Sequence, residues 1–299
     1  GDGDIQEPVA QGAIALAGHW GLGKLIAFYD ANDAQISGKV SRSDSTNYAK
    51  FFESNHWHIQ EINGHDRDAI RDAIRIAQME IDKPSIIIGK TIMAHGTASM
   101  ENDHNTHGMP LPKDEIKATK IKLGLDPDKT FQLPKEVISD FRSSFDYARK
   151  EVLAWKKILE KKQNDKSFFS KWNSMLDLNL PDIDWPKYEY GTKLATRKVW
   201  GNIIEKLCAK MPSLVGGSAD LEPSNNTGGF AKIVGDFGKD NFSGRNFAYG
   251  VREFPMGTIN NGIAQHGGLL VFGATFFTFS DYERPAIRLR ALQGLPVIT

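Results

Sequence analysis

Several short stretches of this 299-residue sequence combine chemically capable residues with spacing that could bring them together. The first is Gly1-Asp2-Gly3, followed after a helix-like and a strand-like run by Asn32. A carboxylate from Asp2, an amide oxygen from Asn32 and the backbone carbonyl of Ala34 would form a set of hard oxygen donors. Such a set suits Mg²⁺, which also accepts oxygens from a bound phosphate. On residues alone, the same string also reads as a glycine turn with an asparagine in a loop. The second stretch is Asn105-Thr106-His107-Gly108, in a Gly/His/Asn-rich loop where a histidine is by default an ordinary hydrogen-bonding residue. Glu253 opens a helical pattern, where a carboxylate complements the positive end of the helix by ~0.3–1 kcal/mol. Phe276 and Phe279 read as packing at a strand-to-helix junction. Cys208, the single cysteine, falls in the helical pattern GNIIEKLCAKM as a small buried hydrophobe.

The elements that must position these residues alternate. Residues 8–18 read as a helix, with Pro8 suited to its first turn. Residues 24–30, 57–63 and 84–92 read as short buried strands. Residues 66–81 form an amphipathic helix with Ile70, Ile74, Ile76 and Ala77 on one side. A loop spans 93–112. The alternation implies an α/β layer with a parallel sheet. In open parallel sheets ligands gather at the carboxyl ends of strands, so Asp2 is expected at an exposed strand end and Asn32 just beyond 24–30. Residues 113–185 are rich in Lys, Glu and Asp and read as a helical connector with solvated faces and no chemistry. The α/β alternation then resumes: helix 192–210, strand 213–220, an irregular loop to about 246, helix 252–266, strand 269–277, helix 281–293 and strand 295–299. The fold expected is α/β, with two parallel-sheet layers joined by a charged helical linker.

Composition narrows the function classes. Lys plus Arg equals Asp plus Glu at 37 each, so a zero formal charge gives no support for nucleic-acid or membrane-surface binding. With 40% hydrophobic residues the chain is of ordinary globular type. The most apolar run, GGLLVFGATFFTF, is too short to span a bilayer. One cysteine excludes an internal disulfide framework and fits a reducing, cytoplasmic compartment.

The motif GGSADLEPSN (216–225) makes the pattern specific. Together with GDG, Asn32, NTHG, LATRK (194–198), YGVREF (249–254) and ATFFTFSDY (274–282), it resembles the transketolase family in the family's own order, over essentially the whole chain. The resemblance implies a transferase of the pentose phosphate pathway. It would move a two-carbon ketol (glycolaldehyde) unit from a ketose phosphate to an aldose phosphate through a thiamine-diphosphate carbanion and enamine. It implies thiamine diphosphate and Mg²⁺ as cofactors, with Ca²⁺ or Mn²⁺ as substitutes. Asp2, Asn32 and the Ala34 carbonyl match its metal ligands, and Gly3 lies where the backbone passes the diphosphate. His107 matches a catalytic histidine beside cofactor and substrate. Glu253 matches the glutamate at N1′ of the aminopyrimidine, a task that needs a carboxyl shielded from water. Phe276, Phe279 and Tyr282 match the pocket around that ring, and Asp220 an acid near the cofactor at a subunit interface. Arg197 and Ser224 match holders of the sugar phosphate.

The resemblance divides the chain into residues 1–112 (diphosphate-binding), 113–185 (linker) and 186–299 (pyrimidine-binding). In that family, sequence precedes GDG and follows LPVIT, so both layers are expected to be incomplete and the isolated stretch inactive. A homodimer with sites shared between subunits is implied. His19 and His266 also occupy family positions and read as structural. Two departures stand out. Glu7 matches one acid of a relay between paired sites, but Gly12 stands where a second glutamate is usual, and Pro255 follows YGVREF. The alternatives are another thiamine-diphosphate enzyme, of the dihydroxyacetone or 1-deoxyxylulose-phosphate synthase type, or a non-catalytic assembly partner.

Overall fold

The computed structural model describes residues 1–176 and 180–299, so the part of the expected linker at 177–179 lies outside the described residues. The first layer opens with α1 (Asp2–Gln6) and α2 (Pro8–His19). It continues with β1 (Ile26–Ala31), α3 (Tyr48–Ser54), β2 (His58–Asn63), α4 (Arg67–Met79) and β3 (Ser85–Lys90). β3 is the central strand, hydrogen-bonded in parallel to β1 on one side and β2 on the other. Its run Ser85-Ile86-Ile87-Ile88-Gly89 is buried throughout. That is why it reads as an unbroken apolar string and not an alternating one: helices cover both faces of a parallel sheet.

The connector contributes α5 (Lys113–Lys122), α6 (Lys135–Gln163) and α7 (Lys166–Leu176). As expected from its charge, none of the 29 residues of α6 is buried. The second layer runs through α8 (Thr196–Lys210), β4 (Leu214–Ser218), α9 (Glu222–Asn225), α10 (Gly228–Val234), α11 (Glu253–His266), β5 (Leu270–Ala274), α12 (Ser280–Gln293) and β6 (Val297–Ile298). Its strands pair in parallel in the order β4-β5-β6. The two expected parallel sheets are therefore present, three strands in each.

Three local expectations need correction. The region after β4, read as irregular, holds α9 and α10, whose brevity leaves too little periodicity to detect. On α4 the covered side is Ala73 and Ala77, while Ile74 and Ile76 are 40% and 44% exposed. The small residues face the sheet because the helix lies close against it, which pushes the larger isoleucines outward. Asp2, expected in an exposed position, is buried as the first residue of α1.

α2 packs against both layers. Ile14 and Ala17 belong to the first core with Tyr29, Phe52, Trp57, Ile86 and Ile88. Leu16 and Trp20 belong to a second with Val215, Phe247, Tyr249, Met256 and Val271. Trp20 meets the rings of Phe237, Phe247 and Tyr249 at centroid distances of 5.7, 5.6 and 6.0 Å. Trp57, on the opposite side, donates its indole N–H to the Ile14 carbonyl at 2.9 Å. Trp20→Ala therefore removes the aromatic contact that ties the layers together. We expect a loss of ~3–5 kcal/mol, the usual cost of truncating a buried tryptophan. Urea unfolding of the 299-residue chain would measure it; a loss under 1 kcal/mol would show that the layers do not depend on this contact.

Candidate functional site

Both sheets direct their loops to the carboxyl ends of their strands, and the candidate residues lie there or just beyond. In the first layer Asp2 is held by two bonds from β1 and the turn after it. Tyr29 donates its hydroxyl to Asp2 Oδ1 at 2.6 Å, and the Asn32 N–H donates to Oδ2 at 3.2 Å. Asn32 Oδ1 accepts from the Ala34 N–H at 3.0 Å, and its amide donates to Asp30 at 3.2 Å. A carboxylate, an amide oxygen and the Ala34 backbone thus converge from α1 and the end of β1. All the candidate donors are oxygens, and Asp2 and Ala34 are only 5% exposed, which fits a small hard cation. A Cβ at Gly3 would meet nothing within 4 Å, so the space beside this turn is open. Burial, then the bond to Asp2, pushes the Tyr29 hydroxyl far above its ordinary range, so it stays a donor at any physiological pH.

His107 ends a single 3₁₀ turn at 104–106, in the long loop after β3. Two histidines that the sequence reading passed over pin the start of that loop. His65 Nε2 accepts the Ile92 N–H at 2.8 Å, and its ring lies 4.0 Å from that of His95. Only the fold brings positions 65 and 95 together.

In the second layer Glu253 is the first residue of α11, 9% exposed, and its carboxyl makes no hydrogen bond to any described residue. It lines a cavity of about 350 Å³ with Asp220, Leu221, Val251, Phe279 and Tyr282. The macrodipole contribution expected for a helix-opening carboxylate applies here as well. Phe276, Phe279 and Tyr282 form a run of rings, with centroids 5.9 and 6.1 Å apart. They are not core packing: Phe276 is 36% and Tyr282 66% exposed. Asp220 sits beyond β4 in a left-handed conformation (φ +60°). Arg197, in the first turn of α8, shares a second cavity, of about 520 Å³, with Trp200, Asn225, Phe276 and Thr299. Ser224 lies on α9 beside Asn225, exposed, and does not line this cavity. The structure thus groups Asp2 with Asn32 and Ala34, groups Glu253 with Asp220, Phe279 and Tyr282, and joins Arg197 to Phe276. Every residue lining the Glu253 cavity comes from the second layer.

Comparison with known proteins decides the family. The family described as "Transketolase, thiamine diphosphate binding domain" matches residues 1–177, and "Transketolase, pyrimidine binding domain" matches 192–299. The chain belongs to the transketolase family. It is 40% identical to the transketolase of Geobacillus stearothermophilus over 304 residues, covering 100% of this chain and 45% of that protein. With the Bacillus subtilis (strain 168) transketolase it shares 41% over 314 residues, covering 99% and 45%. Among solved structures, transketolase from Leishmania mexicana superposes with a TM-score of 0.93 at 33% identity, and that from Campylobacter jejuni with 0.89 at 36%. Each comparison covers 99% of this chain and 45% of the other. The chain therefore spans a little under half the length of the transketolases it matches.

His19 and His266 are exposed; the His266 ring lies 3.2 Å from the Gly267 carbonyl at the end of α11. His19 lines a cavity of about 650 Å³ with Asn55 and His56 of the first layer and Asp220, Glu222 and Arg252 of the second. Cys208 is buried as expected, and burial pushes its thiol upward, away from nucleophile chemistry.

The residue missed by sequence reasoning and nearest to the metal-side cluster is Tyr29, hidden because a strand tyrosine reads as packing. Tyr29→Phe would leave Asp2 Oδ1 without its buried donor. We expect a loss of about 1–3 kcal/mol in stability. Urea unfolding of Tyr29→Phe alone and in an Asp2→Ala background would check it. Equal losses in both would mean that the Tyr29 hydroxyl does not act through Asp2.

Proposed function

We propose that this chain forms the central part of a transketolase that moves a two-carbon ketol unit between sugar phosphates. The observation that carries the reading is Glu253: a carboxyl only 9% exposed that makes no hydrogen bond to any described residue and faces an aromatic-walled cavity. A carboxyl so placed suits an aminopyrimidine ring, whose nitrogen would supply the missing hydrogen-bond partner while Phe279 and Tyr282 contact its face. When bound, thiamine diphosphate supplies the electron sink for breaking and re-forming the carbon–carbon bond next to a ketose carbonyl.

The chain's own residues have distinct tasks in this proposal. Glu253 would hold and exchange a proton at a ring nitrogen of the bound pyrimidine. Asp2, Asn32 and the Ala34 carbonyl would hold Mg²⁺, and Gly3 would leave room for the diphosphate beside them. His107 faces the reacting end of the substrate, and Asp220 stands beside the cofactor. Arg197 and Ser224 hold the phosphate of the sugar, for which a planar guanidinium gives a paired hydrogen-bond geometry. Sugar-phosphate substrates also agree with solved relatives from Pichia stipitis described as complexes with xylulose 5-phosphate and sedoheptulose 7-phosphate.

The protein is further proposed to act as a homodimer with shared sites. The Glu253 cavity takes its walls from one layer only, so the Mg²⁺-diphosphate half can come from a second copy. That requires a large two-fold interface between copies.

Three results test the reading in a polypeptide carrying this chain at the family's full length. Asp2→Ala is expected to abolish Mg²⁺-dependent cofactor binding; unchanged affinity by calorimetry would remove Asp2 from the metal site. Glu253→Gln is expected to slow hydrogen–deuterium exchange at C2 of the bound cofactor by orders of magnitude with the fold intact. Normal exchange would assign the proton to another residue. Mixing the two inactive variants should restore part of the activity, because each mixed dimer contains one unaltered site. Mixed dimers that form and stay inactive would rule out shared sites.

A further inference from the structure

α2 packs against α11, with Leu16 in one core with Met256, and at its tightest approach Gly12 meets Pro255 in the first turn of α11. A Cβ on Gly12 would lie 2.4 Å from Pro255 Cγ, 3.1 Å from its Cβ and 3.7 Å from Arg252 Cδ. Gly12 sits inside α2, with no left-handed backbone torsion that would call for glycine. The close approach is therefore what excludes a side chain there. The partner is stiff, because the pyrrolidine ring cannot rotate away as a flexible side chain would. Pro255 fits the first turn of α11 because its missing N–H is one the helix leaves unpaired in any case.

The place of this contact gives it significance. Pro255 is buried and stands two residues after Glu253, in the same helical turn. α2 follows directly on α1, which opens with Asp2. Two short stretches of chain, 2–12 and 253–255, thus meet at Gly12 and Pro255 and link the Asp2 cluster to the carboxyl of the second-layer cavity.

We propose that Gly12 is a positioning residue: its bare backbone is the seat on which Pro255 rests, and this seat sets where Glu253 projects into its cavity. The inference rests on reading Glu253 as the carboxyl that meets the pyrimidine nitrogen. A methyl group at position 12 must open the 2.4 Å approach to the 3.4–4 Å of ordinary contact, a shift of about 1 Å at the start of α11. A displacement of that size at a catalytic group lowers a rate on the order of a hundredfold.

The test combines two measurements. The first is cofactor-free: urea unfolding of the 299-residue chain with Gly12→Ala, Pro255→Ala and both. In open space alanine inside a helix would stabilise the protein. Seated against the ring, Gly12→Ala is expected to destabilise it, with most of the loss recovered in the double variant. Additive effects would mean that the two residues do not bear on each other, and would overturn the proposal. The second measurement is C2 exchange of the bound cofactor in the polypeptide of full family length. Gly12→Ala is expected to slow exchange between tenfold and a hundredfold, Pro255→Ala to restore most of the rate, and Gly12→Ala to add nothing in a Glu253→Gln background. An equal slowing in both backgrounds, or a Gly12→Ala variant at the normal rate while Glu253→Gln is slow, would refute positioning through Glu253. Normal exchange in Glu253→Gln itself would instead remove the reading on which the proposal rests, and the proposal with it.

Discussion

The packing of α2 between the two layers is the constraint on which the rest of the molecule depends. A helix on the surface of a domain carries one apolar stripe; α2 carries apolar residues toward two cores, with Ile14 and Ala17 on one side and Leu16 and Trp20 on the other. Small residues make this possible. Ala10, Gly12, Ala15, Ala17 and Gly18 keep the helix thin enough for both layers to reach its backbone. At Gly18 the Asn55 carbonyl comes within 1.7 Å of where a Cβ would stand, and at Gly12 the Pro255 ring comes within 2.4 Å. The sequence PVAQGAIALAGH is in this sense a joint.

The second layer has a comparable close approach at its strand end. Gly216 and Gly217 let the segment around Arg245 and Phe247 run beside β4, with Phe247 N–H donating to Gly216 O at 2.8 Å. A Cβ on Gly217 would lie 1.9 Å from the Phe247 carbonyl. The chain leaves β4 through Ser218, whose hydroxyl bonds the Ala274 carbonyl at 3.1 Å and accepts from the buried Asn225 amide at 3.0 Å. These bonds fix the turn that presents Asp220, and through α9 they bring Asn225 into the cavity of Arg197 and Phe276. The motif GGSADLEPSN thus has two parts: its glycines and serine shape the turn, and Asp220, Leu221, Glu222 and Asn225 line the cavities around it. Behind α11, Glu283 and Arg290 form a buried ion pair on α12. Burial pushes the Glu283 carboxyl upward while Arg290 holds it down. Such pairs add little net stability, but removing either partner is costly.

Much of this molecule was legible in its residues. The strands around Phe28, Ile59 and Ile87, the helix at 8–19, the charged connector and the parallel character of both sheets follow from apolar runs, Pro8 and the alternation of periods. The candidate residues Asp2, Asn32, Glu253, Phe276, Phe279 and Tyr282 were legible only through a resemblance to a family, because a turn carboxylate, a loop amide and a pair of phenylalanines each have an ordinary explanation. Where periodicity failed, the elements were short: α9 has four residues and α10 seven. Where side chains were assigned to the wrong side, as with Ile74 and Ile76, a close helix-to-sheet approach favoured alanine over bulk.

What the sequence determined by itself is local: which segments are helix or strand, where glycine and proline end them, and which residue types are available for metal, carboxylate and aromatic roles. These follow from interactions within a few residues of the chain. The tertiary structure alone decided which of those residues share a space. Tyr29 finds Asp2 across 27 positions, His65 meets His95 across 30, and Gly12 receives Pro255 across 243. Such contacts depend on how two layers close on one helix, and no spacing rule within the chain encodes that distance.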